Sequence, residues 1–336
     1  MVVAEAVKRL GLDGGEHLAA AITPSEGPAG LPLLGQLVWY SVQDSVRLGA
    51  DVLKGLYEAH GLPAQHAPRP IRNRDAFRRA SSGISRRVPT QEGEIRYMVR
   101  DVHTGPSDVT RALVAEVVDK EGRRLAYYHV ANWVYQDETD SIYLVPGADT
   151  VPADIEDTAR QLFDGCCRAF DAAKSTYTSS HVRQIIRRVL DDLYPVVVRP
   201  SGGVYFVPAG HEPTLRALQA FTAAAGERGG GHTEFRLVPL VDTSEQRDMV
   251  RTSVLYEVRT AVEGLLHQME QIRHDRQGQE LRPSDLRAVG ERWQYLGDMV
   301  ARYRRLLEDQ LAEIEGFLEV GRRKVEAFLA SAAGGA

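Results

Sequence analysis

Between residues 92 and 146 apolar and polar residues alternate with a period of two, and this pattern constrains the chain more than any other. In GEIRYMVRD, Ile95, Tyr97 and Val99 alternate with Glu94, Arg96 and Arg100. Successive side chains of a strand point to opposite faces, so the spacing predicts strands with one face buried and one in water. RALVAEVVD and RRLAYYHVANWVY flank the short turn KEG, and SIYLVP follows the polar turn QDETD. Four such runs joined by tight turns predict a four-stranded antiparallel meander.

Helical periodicity takes over on either side. QLVWYSV reads as a strand, and QDSVRLGADVLKGLYEAHGLP as a helix stopped by Gly61 and Pro63. Pro152 opens a helix to about Lys174. Ser179 or Ser180 caps another, in which Val182, Ile185, Ile186, Val189, Leu190 and Leu193 share one face. PVVVRPSGGVYFVP is a hairpin turned at Ser201-Gly202-Gly203, EPTLRALQAFTAAAG a helix ended by Gly226, and TEFRLVPLVD a strand. Residues 244 to 276 and 284 to 329 read as helical throughout, split near Gly278. Leu286, Val289, Trp293, Leu296, Val300, Tyr303 and Leu307 step alternately by three and four, a heptad seam. At 1.5 Å per residue the two helices would run about 50 and 70 Å.

The expected fold class is therefore α+β: an antiparallel meander with packed helices and a helix–β-hairpin unit, followed by a long C-terminal antiparallel helical hairpin. The expected divisions are an N-terminal arm over 1–35, a globular body over 36–242, the helical hairpin over 243–330 and a frayed tail over 331–336.

Composition narrows the class. A hydrophobic content of 43% and a charged content of 26% are ordinary for a globular chain. LPLLGQLVWYSV is too short to span a bilayer, and residues 1–35 lack a basic region followed by an apolar core. The expectation is a cytoplasmic protein without membrane contact. The two cysteines, Cys166 and Cys167, are adjacent inside a helical pattern, which favours buried thiols over a disulfide or a metal site.

Signatures of chemistry fail one by one. GERGGGH misplaces the glycines of a dinucleotide fingerprint, no phosphate-loop motif occurs, and SSGIS does not match a hydrolase nucleophile elbow. Glu263, His267, Glu270 and His274 could offer metal ligands from one helix, but they centre about 150° from the apolar stripe of Val258, Val262, Leu265, Met269 and Ile272. That face should meet water. No catalytic residue, metal or cofactor is singled out.

One region departs from the rest. Residues 68 to 100 carry nine arginines and three acids, a formal +6 in a chain of net charge −5. Arginine forks match phosphate oxygens, and aromatic planes beside them stack on unpaired bases. Candidate nucleic-acid-binding residues are Arg72, Arg74, Arg78, Arg79, Arg86 and Arg87, with Phe77, Tyr97 and Tyr127 as stacking planes. The competing reading has acids neutralising these arginines and Phe77 in the core. A second candidate is the helix feeding into the 195–208 hairpin, whose order is that of a winged helix, with Arg199 at the wing. Asp191 and Asp192 on the same helix oppose phosphate there, so a structural helix–hairpin unit is favoured. Five Lys against 36 Arg also point to a GC-rich genome, which dilutes arguments from arginine count alone.

WYSV (39–42), GLP (61–63), DAFRRASS (75–82) and GGVYFVP (202–208) resemble segments of a group of uncharacterised proteins from actinobacteria, their plasmids and phages. The resemblance covers most of residues 36–330 and implies an origin on a mobile element, with no catalytic residues to carry over. The expected function is that of a non-enzymatic, oligomeric protein binding single-stranded nucleic acid through the arginine segment and self-associating through the C-terminal helices. The alternatives are a scaffold assembled by arginine–acid contacts, and an enzyme acting on a phosphorylated substrate at the same cluster.

Overall fold

The computed structural model describes residues 32–199, 203–276, 281–308, 311 and 314–330. The expected arm before residue 32, the turn residues Ser201 and Gly202, the split at Gly278 and the tail lie outside them. The α+β architecture is observed, and three units compose it.

The first unit is built on β1 (Leu33–Val42), whose neighbours are β10 (Val204–Pro208) and β11 (Thr233–Val241), with β9 (Val196–Arg199) at the edge beyond β10. All pairings are antiparallel. On one face pack α1 (Ala50–Ala59), α4 (Ser179–Asp191) and α5 (Glu212–Gly229), burying Val38, Leu53, Tyr57, Ile186 and Phe221. The opposite face buries Leu34, Val196 and Phe206 against α6 (Ser244–Arg276) and α7 (Pro283–Leu306). Gly35 makes the β1–β10 approach possible, since a Cβ there would fall 2.2 Å from the Val207 carbonyl oxygen and 2.6 Å from the Phe206 ring.

The second unit is the meander, and it has five strands where four are expected: β3 (Ser85–Pro89), β4 (Gly93–Thr104), β5 (Asp108–Asp119), β6 (Arg124–Gln136) and β7 (Ser141–Pro146). The extra strand comes from the arginine segment itself. Charged residues and a proline disfavour a central strand but suit an edge, where they also block pairing with other chains. One face of the sheet packs on α2 (Asn73–Ser82) and α3 (Ala153–Ser175), burying Tyr97, Leu113, Trp133, Tyr135, Ile155 and Phe170. A two-stranded ribbon of β2 (Arg47–Gly49) and β8 (Thr176–Thr178) links this unit to the first.

The third unit corrects the expected hairpin. The second long helix is interrupted after Leu306, and α8 (Glu315–Ala330) folds back against both α6 and α7 to make a three-helix bundle. Glu308 adopts a left-handed φ of 52°, and Leu311 and Ile314 turn inward to bury almost completely. Arg247 of α6 holds the break by pairing with Asp242 and with Glu308 at 3.1 Å. No Gly or Pro occurs between Leu306 and Glu315, so periodicity ran through the break unseen. The heptad seam is real, with Val289, Leu296, Val300, Tyr303 and Leu307 buried, but its partners are in the same chain. Gly321 lets α8 close: a Cβ there would sit 3.1 Å from both the Trp293 ring and Val262. Among the described residues no helix is long and apolar enough to cross a membrane.

Candidate nucleic-acid interface

The arginine segment splits into two parts with different environments. The first is α2, where Arg72 is the exposed N-cap residue and the other three arginines are engaged within the chain. Arg74 pairs with Asp137 and donates to the Pro106 carbonyl at 2.8 Å. Arg78 pairs with Asp75 at 3.1 Å and donates to Thr104 Oγ1 at 3.2 Å. Arg79 donates to the carbonyls of Ala173 and, at 2.9 Å, Thr176. Those carbonyls belong to the C-terminal end of α3, where a helix leaves acceptors unsatisfied. Burial holds the Arg79 guanidinium below its ordinary pKa, and the nearby Arg47 adds to the effect.

Phe77 is corrected from a base-stacking residue to a core residue. It is fully buried, stacked on Tyr135 at 5.9 Å and edge-on to Phe170 at 6.4 Å. Tyr97 is likewise buried and presents no plane to a ligand. Beneath α2 lies Arg111, which sequence reasoning did not single out. Its side chain is 7% exposed, pairs with Asp101 at 2.9 Å, and donates to the Arg78 carbonyl and Ser81 Oγ. Arg74, Arg78 and Arg79 thus help to seat the helix on the sheet.

The second part is the β3–β4 edge. Arg86 points to the helix side, where it donates to Gln161 of α3 at 3.2 Å. Arg87 stands on the other face with its side chain 69% exposed and Glu94 at 3.8 Å. By register, Arg87, Arg96, Glu116 and Tyr127 form one row across β3, β4, β5 and β6. Their sequence neighbours Tyr97, Ala115 and Tyr128 face α2 and α3, so the row lies on the opposite, open face. Tyr127 is 49% exposed, and the Arg124 guanidinium sits 5.4 Å from its ring centroid. The adjoining row sets Met98 beside Val114 and His129, and Arg100 lies one step further along β4 with a contact to Met98 Sδ at 3.0 Å.

Four arginines (87, 96, 100 and 124) and two glutamates (94 and 116) thus share the β3–β6 part of this face. Glu94 pairs with Arg96 at 2.6 Å and Glu116 with Arg124, which leaves a formal excess of two positive charges. The helices packed against this sheet, α2 and α3, lie on the other face. Arg124 was missed because the candidate segment stopped at Arg100; its signal was the same alternation that put Tyr127 outward.

Arg199 is not brought to this face. It ends β9, an edge strand of the other sheet. The segment forms the favoured structural helix–hairpin unit: the β9–β10 hairpin is incorporated into that sheet beside β1, while the apolar face of α4 is buried against it. Arg183 is held by Asp44 and the Val42 carbonyl. On α6, Glu263, His267, Glu270 and His274 are all exposed. Cys166 is buried, which pushes its thiol up to about 12, and Cys167 beside it is half-buried; both are free.

A two-faced antiparallel sheet, with helices on one side and a basic, aromatic surface on the other, is thus joined to an α/β/α sandwich and a helical bundle. The chain matches the model of a family of unknown function, DUF6744, over residues 33–334, and it belongs to that family. No curated protein and no solved structure matches it.

Proposed function

We propose that this protein binds single-stranded nucleic acid across the open face of the five-stranded sheet. The observation that carries the reading is Tyr127, half-exposed and in register with Arg87 and Arg96, with Arg124 over its ring. An exposed aromatic gives a base a stacking partner of any sequence, and flanking guanidiniums neutralise phosphates. A broad sheet face accepts splayed bases but does not enter the groove of a duplex. Relative to the expected site, Arg87 and Tyr127 stay, Arg96, Arg100 and Arg124 join them, and the α2 arginines act in support.

Fluorescence anisotropy with labelled oligonucleotides tests this. Binding should weaken with salt, with a slope of log K on log[salt] of roughly −2 to −3, for three or four phosphates at about −0.7 each. Single strands should compete better than duplex, and absence of any salt-sensitive binding refutes the reading. A role on an actinobacterial mobile element fits the strong preference for arginine over lysine. Self-assembly has one observation of its own: a groove of about 400 Å³ between α7 and α8, floored by Trp293, Leu296, Val300 and Leu318. Light scattering across protein concentration tests it.

A further inference from the structure

A second site lies where the helical bundle meets the sandwich. A cavity of about 160 Å³ opens between α6 and α7 beside Pro195, with Ala261, Leu265, Leu296 and Met299 as apolar walls. Taking about 20–30 Å³ for each non-hydrogen atom, it holds a molecule of roughly five to eight such atoms. Three polar residues line it: Glu257, Tyr295 and Arg292.

The position of each defines the ligand. Glu257 is partly buried and makes no hydrogen bond or ion pair among the described residues. Burial holds its carboxyl above the ordinary range, with Arg187 pulling in the opposite direction. A desolvated carboxylate without a partner is costly, and a cation entering the cavity would relieve it. Tyr295 reinforces that preference. Its hydroxyl donates to the Asp191 carbonyl at 3.1 Å, and its ring stacks on Tyr194 at 5.1 Å. A ring held in this way is a fixed wall beside the carboxylate, with a negative π face to offer a cation.

Arg292 sits at the far end. Its Nη1 donates to Gln268 at 3.0 Å, and its Nη2 lies 3.5 Å from where a Cβ on Gly264 would stand. Gly264 follows Glu257 by seven residues on α6, roughly 10 Å of helix rise, so Glu257 and Arg292 meet the cavity at different levels of that helix. One helical row, Glu257, Ala261 and Leu265, thus runs from a carboxylate through apolar wall toward a guanidinium. Arg292 is exposed and keeps guanidinium N–H groups beyond the one given to Gln268, so a carboxylate finds donors there, whereas at the other end it would face Glu257.

We propose that this cavity binds a small dipolar molecule, with an ammonium group at Glu257 and Tyr295, a short methylene chain between α6 and α7, and a carboxylate at Arg292. Short ω-amino acids are the chemical class. Because Tyr295 and the Tyr194 turn connect the bundle to the sandwich, an occupied cavity would also tighten that junction.

Isothermal titration calorimetry with 4-aminobutanoate and 5-aminopentanoate, beside butylamine and butanoate, is the test. At least one amino acid should bind, and each single-charge analogue should bind about tenfold or more weakly, the loss expected for one charge-assisted hydrogen bond. Glu257→Gln keeps the shape and removes the charge; it should abolish amino-acid binding while leaving the thermal midpoint unchanged or higher. Arg292→Gln should bring the amino acid to the level of butylamine. If no amino acid binds the wild type, or if Glu257→Gln binds as well as the wild type, the assignment is wrong. If the amine alone binds best, the site takes simple cations and the dipolar class is overturned.

Discussion

Replacing Arg79 by alanine separates the two halves of the arginine segment by their roles. The Arg79 guanidinium serves two backbone carbonyls, Ala173 and Thr176, at the end of α3. Both belong to the class of acceptors that a helix terminus leaves without intrahelical partners. Hydrogen bonds from a charged donor contribute about 1.5–3 kcal/mol each, so two set an upper bound of roughly 6 kcal/mol. The side chain is only partly buried, and water can replace part of what is lost. A net destabilisation of about 2–3 kcal/mol is therefore expected. Urea unfolding followed by circular dichroism reads it as a lower midpoint with an unchanged slope. Arg79→Lys should recover only part of the loss, because an ammonium is a point charge while the guanidinium fork reaches both carbonyls. Unaltered stability together with weakened oligonucleotide binding would refute the reasoning and return Arg79 to the binding surface.

Other perturbations follow from the same contacts. Phe77→Ala should cost about 3–5 kcal/mol in the same unfolding assay, because the ring is fully buried between Tyr135 and Phe170. Arg302 donates to His211 Nε2 at 2.8 Å and lies over Tyr194, so the His211 ring must be neutral to accept. Burial first, then Arg302, holds the His211 pKa below its ordinary 6.5, against the pull of Glu212. The unfolded chain therefore binds a proton more readily, and stability should fall as pH drops below 6.5 toward the folded value; His211→Gln should flatten that part of the pH profile. Arg247→Ala removes the contacts to Asp242 and Glu308. Hydrogen exchange should then quicken at Leu307, Glu308, Leu311 and Ile314 before the rest of the bundle.

The parts of the fold governed by local periodicity were legible. Alternation placed β4 to β7, Pro152 opened α3, and the stepping of α7 identified the residues it buries. The misses share a cause in distance along the chain. Whether Arg74 or Arg79 faces solvent depends on Asp137, Ala173 and Thr176, which are 63, 94 and 97 residues away. Phe77 and Tyr97 sit among arginines in sequence, yet the helix and the sheet turn both inward. Strand β3 hid because edge strands tolerate the arginines and proline that a central strand rejects. The break at Glu308 hid because tertiary contacts, from Arg247 and from buried Leu311 and Ile314, hold a turn that no glycine or proline announces. For the proposed site, charge drew attention to the segment, while which of its side chains share the open face is a property of the sheet register.

The most direct test of the central claim is anisotropy titration of one labelled single-stranded oligonucleotide against three proteins at one moderate salt concentration. The proteins are the wild type, an open-face variant with Arg87, Arg96 and Tyr127 changed to alanine, and an α2 variant with Arg74 and Arg78 changed to glutamine. The open-face variant should bind at least about tenfold more weakly, since one stacked base alone contributes about 1–3 kcal/mol. The α2 variant, with its fold verified by circular dichroism, should stay within about twofold of the wild type if those arginines only seat the helix. The reverse order, or an open-face variant that binds like the wild type, would contradict the account.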